Sequence, residues 1–201
     1  MSNISPRLQK GAILSLDPTT GIPRGMINLQ YNPDSITRSL KPQSVGDQPD
    51  RTEILRLKGP PIETIKCTAE IDATDLLASG DANTLKYGIQ PQLAALELLV
   101  YPSSTTLITN EALTLLGTIE ILPMESALTV FIWSKSRITP VRITDLDVAE
   151  ESFDPQLNPI RAKVALGMRV LNVNDVGFIN PAGALYMAYQ VEKEAMAALF
   201  S

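Results

Sequence analysis

The sequence predicts a mainly β fold of the α+β class, with antiparallel strands covered by one flanking helix and followed by a C-terminal helix. Three observations predict it. Residues 129–171 run through strand period, turn chemistry and strand period again without a break. Residues 91–101 have helical composition bracketed by Pro91 and Pro102, and a second helical period starts behind Asn180-Pro181 and continues to the end of the chain.

The 129–171 run holds three strands. In the last, Ala162, Val164, Leu166, Met168 and Val170 share one face while Arg161, Lys163 and Arg169 share the other, the alternation of a half-buried antiparallel strand. The segment 154–159 breaks the run before it, because Pro155 and Pro159 lack ladder donors and Asp154 and Asn158 close turns through their side chains. In the middle strand Val141 and Ile143 have one parity and Leu146 and Val148 the other. A bulge is therefore expected at Thr144-Asp145.

Upstream, Ala12-Ile-Leu-Ser-Leu16 reads as a short strand closed by a turn over residues 17–21. Gly25 opens a strand over residues 26–31 that should turn Ile27, Leu29 and Tyr31 to the core, and Asn32-Pro33 stops it. Residues 38–51 read as a long polar loop rich in Pro and Gly, either a solvated connector or an ordered arm reaching a neighbouring subunit. Residues 53–58 and 62–71 read as two strands separated by Gly59-Pro60-Pro61. Cys67 has the parity of Ile65, Ala69 and Ile71 and is expected to be a small buried apolar residue.

Residues 72–83 carry Asp72, Asp75 and Asp81 at spacings that match no calcium loop, and a polar loop is expected. In the 91–101 helix, Leu93, Leu96, Leu99 and Val100 form the apolar stripe. A strand is expected within residues 113–122. In the terminal helix, Ala184, Met187, Ala188, Val191, Ala195, Ala198 and Leu199 line up opposite Tyr186, Gln190, Lys193 and Glu194. That alanine-rich face suits close packing, on its own sheet or on another chain.

Composition narrows the chemistry. The chain has 201 residues, a net charge of −5 and no basic stripe, so nucleic acid is not an expected partner. It has no histidine and one cysteine, which removes His/Cys zinc sites, His-based nucleophile pairs and internal disulfides by count. No cofactor or metal is expected. Asp145, Asp147, Glu150 and Glu151 are the carboxylates an enzyme would need, but no helix or glycine loop beside them positions a substrate, and they read as solvated. The start lacks an apolar core like that of a signal peptide, and no stretch approaches the ~20 apolar residues of a membrane span. Cytoplasmic assembly without membrane insertion is the expectation.

Several segments resemble one family in order and spacing. They are Gln30-Tyr-Asn-Pro-Asp-Ser-Ile-Thr-Arg-Ser39, then Leu57-Lys-Gly-Pro-Pro-Ile-Glu-Thr-Ile65 running on to Asp72. Phe131-Ile-Trp133 follows, then Pro140-Val-Arg-Ile-Thr-Asp-Leu146, then Phe153-Asp and Asn158-Pro-Ile-Arg-Ala-Lys-Val164. Together they are similar to the tube-like domain of contractile injection system proteins, most of all to the adaptors joining the inner tube to the spike in phage-tail-like particles.

The resemblance covers roughly residues 10–175. It implies a small antiparallel β-barrel or two-sheet tube-protein-like fold over residues 1–175, with residues 176–201 as a helical extension in place of the LysM-type module many such adaptors carry. It also implies a homo-oligomeric ring of six around a channel, with inner tube, spike, hub and other baseplate proteins as partners.

Candidate inter-subunit contacts are Lys41, Pro42, Gln43, Val45 and Asp47 in the long loop, Trp133 and Arg137 at a strand end, and Met187, Val191 and Leu199 on the terminal helix. Trp133 also reads as a core residue. Two alternatives stay open: a tube terminator or cap-end subunit of the same particle, or a stand-alone β-barrel binding a small apolar ligand against Val164, Leu166, Met168 and Val170.

Overall fold

The computed structural model describes residues 9–18, 20–44, 55–115 and 126–200. The fold is α+β and mainly antiparallel. Strands β1 (Ala12–Leu16), β2 (Pro23–Asn28), β3 (Ile36–Ser44), β4 (Leu57–Asp72), β5 (Leu128–Ser134), β6 (Arg137–Phe153) and β7 (Pro159–Val170) form one sheet in the order β2-β1-β5-β6-β7-β4-β3. That order has two ends, so hydrogen bonding does not close the sheet into a barrel.

The β5-β6-β7 meander follows the sequence pattern closely. The β6–β7 register shifts between Ile143 and Asp145, leaving Thr144 as the extra residue. Gly167 lies opposite Asp145, and a Cβ there would come 2.7 Å from the carboxylate, so glycine makes room at the bulge. In the turn after β6, Asp154 Oδ1 accepts from the N–H groups of Gln156 and Asn158, both at 2.8 Å, and Asn158 Nδ2 donates to Asp154 Oδ2 at 2.8 Å.

Three expectations about the first half are corrected. β3 carries residues 36–44 in extended pairing with β4, so the expected loop is a strand as far as Ser44, and its remainder lies outside the described residues. β4 is one strand, running through Gly59-Pro60-Pro61. The prolines are tolerated because pairing with β7 begins only at Thr64 and the β3–β4 register skips around them. Tyr31, expected inside, is exposed, whereas Ile27 and Leu29 are at least partly buried.

The helical content also exceeds expectation. Four helices among the described residues connect β4 to β5, where one was expected: α1 (Thr74–Ser79), α2 (Ala82–Tyr87), α3 (Gln90–Glu97) and α4 (Ser104–Leu115). Residues 74–79 and 82–83 are thus helical where a loop was expected. Asp81 caps α2, its Oδ2 accepting from the Thr84 N–H at 2.8 Å, and ahead of α1 Asp72 Oδ1 accepts from the Thr74 N–H at 2.8 Å. Gly88, with φ +58°, lets the α2–α3 junction press against Pro159, whose carbonyl accepts from the Ile89 N–H at 2.9 Å.

In α3, Leu93 and Leu96 are buried with Leu99 just beyond, but Val100 is exposed because the helix ends at Glu97. The strand expected within 113–122 falls mainly on residues 116–125, outside the described ones. Leu113 to Leu115 close α4 instead.

The main core lies on one face of the sheet. Ile13, Phe131, Val141, Ile65, Cys67, Ala69 and Ile71 meet Val164, Leu166, Met168 and Val170 there, with α3 covering one end. Each Val, Leu, Ile, Phe or Met among them contributes about 1.5–3 kcal/mol by leaving water. A smaller cluster of Leu16, Leu128 and Val130 forms on the opposite face, under Ala182. Ala182 opens α6 (Pro181–Ala198), which follows the one-turn α5 (Val173–Val176). Asn180 caps α6 by accepting from the Ala182 N–H at 2.9 Å, with Pro181 in the first turn.

Candidate assembly interface

The docking of α6 turns on a charged group that alternation points inward. Glu63 has the parity of Ile65 and Cys67 on β4 and is 3 % exposed. Arg38, on the same face of β3, donates to Glu63 Oε1 from Nε at 2.8 Å and from Nη2 at 2.6 Å. From α6, the Tyr189 hydroxyl donates to Oε1 at 3.2 Å and Lys193 Nζ to Oε2 at 3.3 Å, while Arg38 Nη2 also donates to the Tyr189 hydroxyl at 2.8 Å. The Lys193 ammonium stands 4.0 Å from the centre of the Tyr189 ring.

The electrostatics follow from this packing. Burial, then the charge of Glu63, pushes the Tyr189 phenol up to about 12 and raises Tyr186 in the same direction. Burial opposes the charge on Arg38, but its hydrogen bond and attraction to Glu63 outweigh that and raise its pKa. The sequence signal for this cluster was a glutamate at an inward strand position, paired in register with Leu40 one step from Arg38.

The face of α6 that packs on its own sheet is not the alanine-rich one. Tyr186 and Tyr189 are buried and Lys193 is partly covered, whereas Ala184, Met187, Ala188, Val191, Ala195 and Leu199 face outward. The tyrosines win the inner face because their rings fill the end of the core while their hydroxyls and Lys193 find polar partners at the rim. Of the two readings left open for the alanine-rich face, packing on its own sheet is thus corrected: that face stays exposed.

The remaining candidate contacts fall in separate places. Lys41 and Pro42 are exposed and Gln43 half-buried on β3, which pairs only with β4 among the described residues. Val45 and Asp47 lie outside the described residues. Trp133 is half-buried, its ring 6.1 Å from that of Phe131 at 21°, and it packs over Gly11. That contact places it with the core. Arg137 is half-buried at the start of β6, close enough to Tyr189 to lower its phenol slightly.

The face of β6-β7-β4-β3 opposite the core is polar. Cross-strand rows run Arg142, Arg169, Thr64, Ser39; then Asp145, Gly167, Lys66, Thr37; then Asp147, Ala165, Thr68. Of the four carboxylates considered for catalysis, Asp145 and Asp147 lie on this face, Glu150 is exposed, and Glu151 sits 3.3 Å from Lys163. Among the described residues no group of three or more His, Cys, Asp or Glu could hold a metal ion, and no helix is long and apolar enough to cross a membrane. No family model matches the chain, and no curated protein matches it.

Proposed function

We propose that this chain is a structural subunit of a contractile injection system, a ring of six that adapts the inner tube to the spike and baseplate after assembly in the cytoplasm. One observation carries the reading most directly. A sheet with a packed apolar face and a polar face of four strands ends, among the described residues, in two strand edges, β2 and β3, without strand partners.

Such edges invite association unless a neighbour covers them. A head-to-tail contact between unlike edges closes into a ring when the rotation per subunit allows it, and the wall then continues from subunit to subunit as a barrel no single chain completes. The polar face is a wettable wall for the channel. Exposed apolar side chains such as Leu40, Leu57, Ile108, Phe153 and Leu157 give further surface for neighbours.

The ligand-binding alternative is less well supported, because Val164, Leu166, Met168 and Val170 are packed against α3, β4 and β5. The cap-end alternative uses the same surfaces and differs only in its partner.

The test is light scattering and negative-stain microscopy of the purified protein, alone and co-expressed with the products of the neighbouring genes, tube and spike proteins being the expected partners. Six-fold rings, or a defined complex with either partner, would support the proposal. A monomer that binds neither would overturn it, and binding only at the tube end distal to the spike would move the assignment to the terminator.

A further inference from the structure

The polar face of the sheet is hollowed where β7 places an alanine and a glycine in succession on that side. Ala165 and Gly167 form the floor, Asp145 and Asp147 of β6 stand on one side of it, and Lys66 and Thr68 of β4 stand on the other, each pair in register with the floor. All six line one cleft of about 420 Å³, inside the size range of small-molecule sites. We propose that this cleft binds a small zwitterion, one molecule carrying both an ammonium and a carboxylate, such as a free amino acid.

The two walls have opposite charge and do not satisfy each other. Among the described residues the ion pairs nearest the cleft join Arg161 to Asp72, Lys163 to Glu151 and Arg169 to Asp175, and they leave out Lys66 and both aspartates. The floor is the reason. Where a basic residue on β7 would complete an ordinary cross-strand pair with each aspartate, Gly167 and Ala165 have nothing to offer, and β4 lies two strand spacings from β6, about 9.6 Å away.

Asp145 is also aimed over the cleft. Its Oδ2 accepts from the Thr144 hydroxyl at 3.0 Å, and a Cβ built on Gly167 would come 2.7 Å from that same oxygen. The bulge at Thr144 therefore turns the carboxylate over the glycine, toward the wall that carries Lys66.

The spacing selects the ligand. Subtracting about 2.8 Å at each wall for a charge-assisted hydrogen bond leaves about 4 Å between the two charges of the bound molecule, the span of about two or three carbons. The cleft is open to water, so the affinity should be weak, with a Kd on the order of 1 mM. It is complete within one subunit and needs no ring.

The experiment is ligand-observed saturation-transfer NMR on the full chain, which reads weak binding to a monomer and to a large assembly alike. The probe is 4-aminobutyrate, compared with butylamine and butyrate, which each carry only one of its charges. Saturable binding of 4-aminobutyrate is expected, with each relative about tenfold weaker, the worth of one hydrogen bond to a charged group. Lys66→Gln should bring 4-aminobutyrate down to the level of butylamine, and Asp145→Asn combined with Asp147→Asn should bring it down to that of butyrate. All three side chains are exposed, so these variants keep the fold. Ala165→Leu fills the floor, leaves every charge in place and should abolish binding. Butylamine or butyrate bound as tightly as 4-aminobutyrate would overturn the proposal, as would transfer that survives Ala165→Leu or the absence of saturable transfer to the unaltered chain.

Discussion

Gln30 spends both ends of its amide on the backbone of Asp72: Nε2 donates to the carbonyl at 2.6 Å and Oε1 accepts from the N–H at 2.9 Å. A side chain thus stands where a neighbouring strand would be, because β3 covers β4 only as far as Cys67. It ties the segment after β2 to the far end of β4, across the sheet order. The Asp72 carboxylate meanwhile accepts from the Thr74 N–H at the start of α1 and binds Arg161 of β7 at 2.5 Å. Three elements meet at one residue.

Replacing Gln30 with Leu keeps the volume and removes both bonds, leaving a part-buried N–H and C=O without protein partners. The expected loss is ~1–3 kcal/mol in urea unfolding. A loss below about 0.5 kcal/mol would show that water replaces the amide at no cost.

The same neighbourhood sets an acid limb. Hydrogen bonds from the Thr74 hydroxyl and backbone N–H, then Arg161, outweigh burial and hold the Asp72 carboxyl down to about 2. A carboxyl with a depressed folded pKa adds stability that is complete above its unfolded value, near 4, and that disappears as pH falls toward 2. Asp72→Asn should therefore lower stability at pH 7 and flatten the fall between pH 4 and 2. An unchanged acid limb in the variant would assign it to other carboxylates.

At the opposite extreme of pH the α6 latch is exposed. The Tyr189 phenol is held at about 12 in the folded chain, above its ordinary value near 10, so its contribution is complete below pH 10 and is lost as pH rises from 10 to 12. Tyr189→Phe should remove that alkaline loss at a cost of ~1 kcal/mol at neutral pH for one hydrogen bond. Glu63→Gln should cost more, about 3–5 kcal/mol, because Arg38 loses its charge partner at a part-buried site. Amide exchange of residues 190–198 should rise in this variant ahead of that of β4.

The contrast between these sites explains what could be read from the sequence. The bulge at Thr144, the Asn180 cap and the burial of Cys67 are local events, each announced by a parity change, a capping residue or a strand neighbour of the same face. The face of α6 was illegible because Tyr186 read as part of the polar side and Tyr189 was assigned to neither side, and only the rim around Glu63 gives their hydroxyls a reason to go inside. Pro60-Pro61 read as a strand end because periodicity does not reveal that β4 has no β7 partner there among the described residues. The surfaces offered for assembly divide likewise: Lys41 and Pro42 do stand on a strand edge, but inside β3 rather than in a loop.

Cys67 supplies a probe of the whole core. It is 6 % exposed, and burial pushes its thiol up to about 11. At pH 8 a maleimide should leave the native chain unlabelled for hours and label it at once in 6 M urea. Labelling of native protein at the rate of a free thiol would mean that β4 opens locally.

The ring proposal can be tested at one backbone atom. Asp72 turns its N–H and C=O away from β7, and with strand alternation the even residues of β4 do the same, so Thr64 and Lys66 bond their β3 partners Ser39 and Thr37. The N–H groups of Arg38 and Leu40 then point to the free edge. Leu40→Pro removes a donor from that edge without touching the β3–β4 ladder, and its side chain is already 48 % exposed. Unfolding should shift by less than ~1 kcal/mol, as for a strain-free surface change, while ring formation should fall at least tenfold by light scattering. Rings that persist undiminished would show that the β3 edge is not where subunits join, and would shift the contact to β2 or to the helical surfaces.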